Sequence, residues 1–127
     1  MRVALDTNRY SDFARGDEVV RQALETAREI YLPLVVVAEL RCGFVAGSRL
    51  RQNEQQLTRF LQRQDVHVLY PDDQTTHVYA AVHDQLRRQG TPIPTNDMWI
   101  AATVLQHGLT LYARDRHFDQ LPQISRL

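Results

Sequence analysis

Short apolar runs alternate with longer stretches whose apolar residues recur every three or four positions, along the whole chain. Val3–Leu5, Tyr31–Leu34, Val66–Leu69 and Leu109–Tyr112 are strand-length and rich in apolar or β-branched residues. The segments between them predict helices. A short one runs through Ser11–Arg15 and stops near Gly16. A second follows an Asp17 cap to about Glu29, with Val20, Leu24 and Ala27 on one face. A third covers Val36–Val45 and ends at Gly47, and a fourth covers Leu50–Arg63. Pro71-Asp72-Asp73 opens a fifth that reaches Gln89 before Gly90. Thr95 or Asn96 caps a sixth, Asp97–His107, which is apolar nearly all round and ends at Gly108. Ile124 begins a last short strand. Strands separated by helices cannot pair as hairpins. They form a mostly parallel sheet with crossover helices on both faces, a three-layer α/β/α domain over residues 1–127.

Charge and cysteine content narrow the chemistry. Formal net charge is zero, so any nucleic-acid contact must come from a local patch. All 15 basic residues are arginine. The absence of lysine excludes phosphoryl-aspartate enzymes, receiver domains and Gly-Lys-Ser/Thr phosphate loops, all of which require one. Cys42 is the single cysteine, so no internal disulfide forms and a reducing cytoplasm is the expected setting. The opening residues meet a charge too early for a secretory leader, and no apolar run approaches the roughly 18 residues of a membrane span.

The acids are more informative. Asp6 directly follows the first strand. Glu39 lies inside the apolar run Val35-Val36-Val37-Ala38-Glu39-Leu40. Asp97 opens the most apolar helix, and Asp115 follows the strand ending at Tyr112. Each alone reads as a turn, cap or surface residue. In a parallel sheet, however, strand ends and helix starts share one rim, where ligands bind at the topological switch point. Two carboxylates 4 Å apart repel by about 4 kcal/mol at an effective dielectric near 20. A gathered quartet therefore needs protons or cations. Oxygen donors favour Mg²⁺ or Mn²⁺, and His67, His77, His83, His107 and His117 show no zinc spacing.

These segments resemble the PIN-domain family, and more closely its VapC-type toxins. The resemblance rests on Val3-Ala4-Leu5-Asp6-Thr7-Asn8, Ala38-Glu39-Leu40, Asn96-Asp97 followed by Ile100-Ala101-Ala102, and Leu111-Tyr112-Ala113-Arg114-Asp115 with Phe118. It implies a PIN-like fold and a Mg²⁺-dependent endoribonuclease, with Mn²⁺ as a substitute. The metal-binding and catalytic quartet would be Asp6, Glu39, Asp97 and Asp115, with Thr7 and Asn96 orienting them. It further implies cleavage of transfer RNA or other structured RNA, a homodimer, and a cognate antitoxin that blocks the site. Ala113 departs from the hydroxyl residue that relatives carry there. Arg9, Arg41, Arg114 and Arg116 flank the acids and suit phosphate. Trp99 and Tyr79 offer stacking faces, although Trp99 lies in a core-patterned helix. Tyr10 and Phe13 suit either core or a partner groove. The alternative is a catalytically weak scaffold that binds RNA or protein without cutting.

Overall fold

The computed structural model describes residues 1–127. Its sheet has five strands in the order β3-β2-β1-β4-β5. β1 (Arg2–Leu5) lies at the centre. β2 (Glu29–Pro33) and β3 (Val66–Leu69) extend to one side, β4 (Thr110–Tyr112) and β5 (Ser125–Arg126) to the other. Every neighbouring pair is parallel, with Val3 opposite both Ile30 and Thr110. The chain builds outward from β1 to β3, then returns to the far side of β1 as β4. The direction of winding therefore reverses between β1 and β4, which opens a crevice beyond their carboxyl ends.

Six α-helices flank the sheet and complete three layers: α1 (Thr7–Ala14), α2 (Glu18–Glu25), α3 (Leu34–Ala46), α4 (Leu50–Leu61), α5 (Asp73–Gln89) and α6 (Thr95–His107). Val3, Ala4, Leu5, Ile30, Leu32 and Leu111 of the central strands are fully buried, as expected where both faces are covered. α1 packs on α2 and α3, α3 on α4 and α6, and α5 on α6. Tyr10 and Phe13 belong to the core side, each meeting Phe60 at ring separations of 5.3 and 5.2 Å.

Several boundaries differ from the sequence expectation for local physical reasons. α1 starts at Thr7 rather than Ser11, because extended Asp6 already accepts the first helical bond from the Tyr10 N–H (3.0 Å). α2 stops at Glu25 rather than Glu29. The Thr26 hydroxyl turns back to the Ala23 carbonyl (2.7 Å), and Glu29 is taken by β2, opposite Arg2. α3 begins at Leu34, straight after Pro33, instead of Val36. In α6 the cap position is Pro94, so Thr95, Asn96 and Asp97 are the first three helical residues. The sequence pattern did not anticipate a 3₁₀ turn over Arg116–Gln120, which Asp115 caps. α5 keeps its expected span, with a reciprocal Asp72–Thr75 cap at its start and left-handed Gly90 (φ 71°) at its end.

Candidate metal centre

Each acid reaches the rim by a different device. The Asp6 N–H donates to the Tyr112 carbonyl (3.1 Å), so β1 and β4 stay paired up to the carboxylate. Asp6 occupies the cap position of α1, yet its side chain makes no capping bond. Asp97 sits in the first turn of α6, where the positive end of the helix favours a carboxylate. Asp115 Oδ1 accepts from the His117 N–H (2.9 Å), which fixes the carboxylate over the 3₁₀ turn. Glu39 lies in the second turn of α3. Its Oε1 accepts from the Thr7 hydroxyl (2.8 Å) and its Oε2 from the Asn96 amide (3.4 Å). Thr7 and Asn96 thus both converge on Glu39, from α1 and α6.

The four carboxylates influence one another electrostatically. Asp6 is only 5% exposed. Burial, reinforced by Asp97, Glu39 and Asp115, pushes its carboxyl up to about 6 against the opposing Thr7 N–H. Asp97 is raised as well, chiefly by burial, with Asp115 and Glu39 adding to it and His117 opposing. His117 was not among the sequence-derived site residues. Its Nδ1 lies 2.7 Å from Asp97 Oδ2 and 2.9 Å from Asp115 Oδ1, and the hydrogen bond to Asp97 is the main cause of its raised imidazole pKa. One donor atom each from Asp97, Asp115 and His117 lies within 4.8 Å of the others, a spacing one ion can bridge. Only the short separation from Asp115 hints at His117 in the sequence, because the intervening 3₁₀ turn has no apolar period.

No arginine side chain pairs with any of the four carboxylates, although arginines pair with acids at many other places. Carboxylate oxygens outnumber the single imidazole nitrogen in this group, and such a donor set fits a hard divalent cation such as Mg²⁺ or Mn²⁺. The flanking arginines behave differently from one another. Arg9 and Arg114 both turn to Asp12, and Arg41 grips Glu54 at 2.9 and 3.1 Å. Arg116 is exposed with no acidic partner. Trp99 is half-buried against Tyr79, at a ring separation of 4.3 Å. Ala113 is buried and leaves no hydroxyl at its position.

Known proteins share this architecture. The PIN domain profile matches residues 3–124. Ribonuclease VapC1 of Haemophilus influenzae (strain R2866) is 35% identical over 96 residues, spanning 76% of this chain and 66% of that protein. Toxin FitB of Neisseria gonorrhoeae is 32% identical over 127 residues, spanning 89% of this chain and 87% of that protein. The structure of VapBC2 from Rickettsia felis bound to a promoter DNA fragment shares the fold, with a TM-score of 0.88 at 23% identity over 100% of this chain and 98% of that one. The family match covers the first strand, the last buried turn and everything between, so the chain belongs to the PIN-domain family and, within it, to the VapC-type toxins of toxin–antitoxin systems.

Proposed function

We propose that this chain is a metal-dependent endoribonuclease that hydrolyses phosphodiester bonds in transfer RNA or other structured RNA, as the toxin of a toxin–antitoxin pair. Asp6, Glu39, Asp97 and Asp115 would hold Mg²⁺, or Mn²⁺ in its place, and His117 stands beside two of them. The observation that carries this reading is the gathering of four acids, Asp6 and Asp97 buried and Glu39 and Asp115 partly so, without an arginine partner in an arginine-rich chain. When bound, the cation supplies Lewis acidity toward a phosphoryl oxygen and lowers the pKa of water.

The chain's own residues do the rest. Thr7 and Asn96 hold both oxygens of Glu39, so that carboxylate presents a fixed face. Asp6 is ionised above about pH 6 and then joins its neighbours as an oxygen donor. His117 lies with Nδ1 between Asp97 and Asp115, which make its imidazole hold a proton more tightly than a free one. Arg116 is exposed and offers an unpaired guanidinium to the RNA backbone. Arg9, Arg41 and Arg114 reach RNA only by sharing their acidic partners.

The proposal of a cognate antitoxin draws on relatives solved as VapBC or FitAB assemblies; a homodimer is proposed on the family resemblance alone. The enzyme test uses purified protein freed of antitoxin and incubated with RNA in Mg²⁺, Mn²⁺ or EDTA. Cleavage that needs the metal and disappears in Asp6→Asn and Asp97→Asn is the expected result. Binding without cleavage, unaltered in both variants, would replace the enzyme with a non-cutting scaffold. The toxin role is tested by expression alone, which is expected to arrest growth until a small neighbouring gene is co-expressed.

A further inference from the structure

We propose that Asp12 is a positioning residue for Asp115, acting through Arg114; the inference rests on the metal-dependent reading above. Asp12 lies on α1, six residues beyond Asp6, and its side chain is only 10% exposed. A carboxylate this buried is costly without partners. It accepts hydrogen bonds from Arg9 Nη1 (3.4 Å), Arg15 Nη2 (2.8 Å) and Arg114 Nη2 (3.2 Å), and Arg114 Nε lies 3.1 Å from its second oxygen as an ion-pair contact. Arg114 is the partner that brings two nitrogens close to the carboxylate, one hydrogen-bonded and one in ion-pair contact.

Arg114 immediately precedes Asp115, in the short link between β4 and the 3₁₀ turn. Arg126 of β5 holds the same link from its other end. Its Nη2 donates to the carbonyls of Ala113 (3.0 Å) and Asp115 (3.4 Å). The link is therefore suspended between Asp12 and Arg126. Asp115 in turn caps the 3₁₀ turn and meets His117, which reaches Asp97. A shift of this link moves Asp115 and His117 together, away from Asp97. A phosphate-gripping role for Arg114 fits less well, because Nη2 is hydrogen-bonded to Asp12 and Nε lies against its other oxygen.

The test measures Mn²⁺ binding by electron paramagnetic resonance of the free ion, on the full chain without RNA, with circular dichroism to verify folding. Arg114→Gln is decisive because two effects then oppose each other. It removes a positive charge, so a general field effect tightens Mn²⁺ binding. Positioning weakens it, by about 10- to 100-fold, as for other partners that orient a ligand. Asp12→Asn is expected to weaken binding to a similar extent, and the double variant no further than the single ones, because one pair is broken only once. Arg15→Gln removes a different contact to Asp12 and is expected to leave Mn²⁺ affinity near that of the parent chain. Unchanged or tighter binding in folded Arg114→Gln overturns the positioning role alone. A parent chain that fails to bind Mn²⁺, or an Asp97→Asn variant that binds it equally well, overturns the metal-dependent reading as well.

Discussion

His117 Nδ1 sits 2.7 Å from Asp97 Oδ2, so the one cationic side chain touching the acidic group belongs to a residue able to lose its charge near neutral pH. That pairing raises the imidazole above its ordinary 6.5. A metal ion that takes up the Asp97 and Asp115 oxygens removes the cause. We expect His117 to titrate above 6.5 in EDTA and distinctly lower in saturating Mg²⁺, with protons released on metal binding. NMR titration of the imidazole in both conditions measures this; an identical pKa in the two would separate His117 from the metal centre.

The ion-free protein is expected to lose stability as pH rises. Folded Asp6 titrates at about 6 and the unfolded chain near 3.8, so between these values the folded state holds a proton that the unfolded state has released. Each pKa unit is worth about 1.36 kcal/mol, and the full shift costs about 3 kcal/mol above pH 6. Raised Asp97 acts in the same sense. The His117 ion pair does too, since its stabilisation is complete below 6.5 and fades as pH climbs through the raised value. Urea denaturation in EDTA from pH 4 to 8 should show the fall, and Mg²⁺ should offset it at the upper end.

Asp6→Asn is expected to separate stability from function. Removing the buried charge stabilises the ion-free protein at pH 7.5, by up to about 3 kcal/mol, and flattens its pH dependence. Metal-dependent RNA cleavage falls further than the roughly 10- to 100-fold typical of losing a ligand's supporting partner. Denaturation and cleavage assays on one preparation test both halves; a destabilised Asp6→Asn variant would contradict the electrostatic account.

Among the four flanking arginines, Arg116 is expected to matter most simply for RNA. Arg116→Gln should weaken RNA binding in EDTA and lower the slope of log affinity against log salt by about 1. Arg41→Gln should change it less, because Arg41 already shares its charge with Glu54. Salt-dependent fluorescence anisotropy distinguishes the two, and equal slopes in both variants would remove Arg116 from the interface.

Away from the site, Asp72→Ala should lower stability by removing the α5 cap and the bond from Gln106 to the same oxygen, as a fall in the urea midpoint. Cleavage by the remaining folded protein should be unaltered. A matching loss of activity per folded molecule would tie this helix start to the active rim.

Much of this was legible in the letters because the governing signals are local. Asp17 opens α2 by accepting the Val20 N–H on its side chain, Gly90 closes α5 in the left-handed conformation, and Val66–Leu69 runs out just before Pro71. The carboxylates were visible because an acid beside an apolar run is unusual. The remainder depends on contacts distant in sequence. The early end of α2 follows from β2 pairing with β1, which claims Glu29. The place of His117 depends on a 3₁₀ turn whose first bond is made by the Asp115 side chain. The Asp12 cluster was half visible, since Arg9 and Arg15 flank Asp12 at helical spacing, but Arg114 joins it from 102 residues away.

The rim draws its acids from the ends of β1 and β4 and from α3 and α6, elements scattered from position 6 to position 115. A ribosome making this chain exposes those positions one at a time. No growing intermediate that stops short of Asp115 carries the complete constellation, and β4 cannot dock beside β1 before it has emerged. Order of synthesis thus sets the order of assembly: Asp115 and the strand before it join a rim whose other acids have already been made.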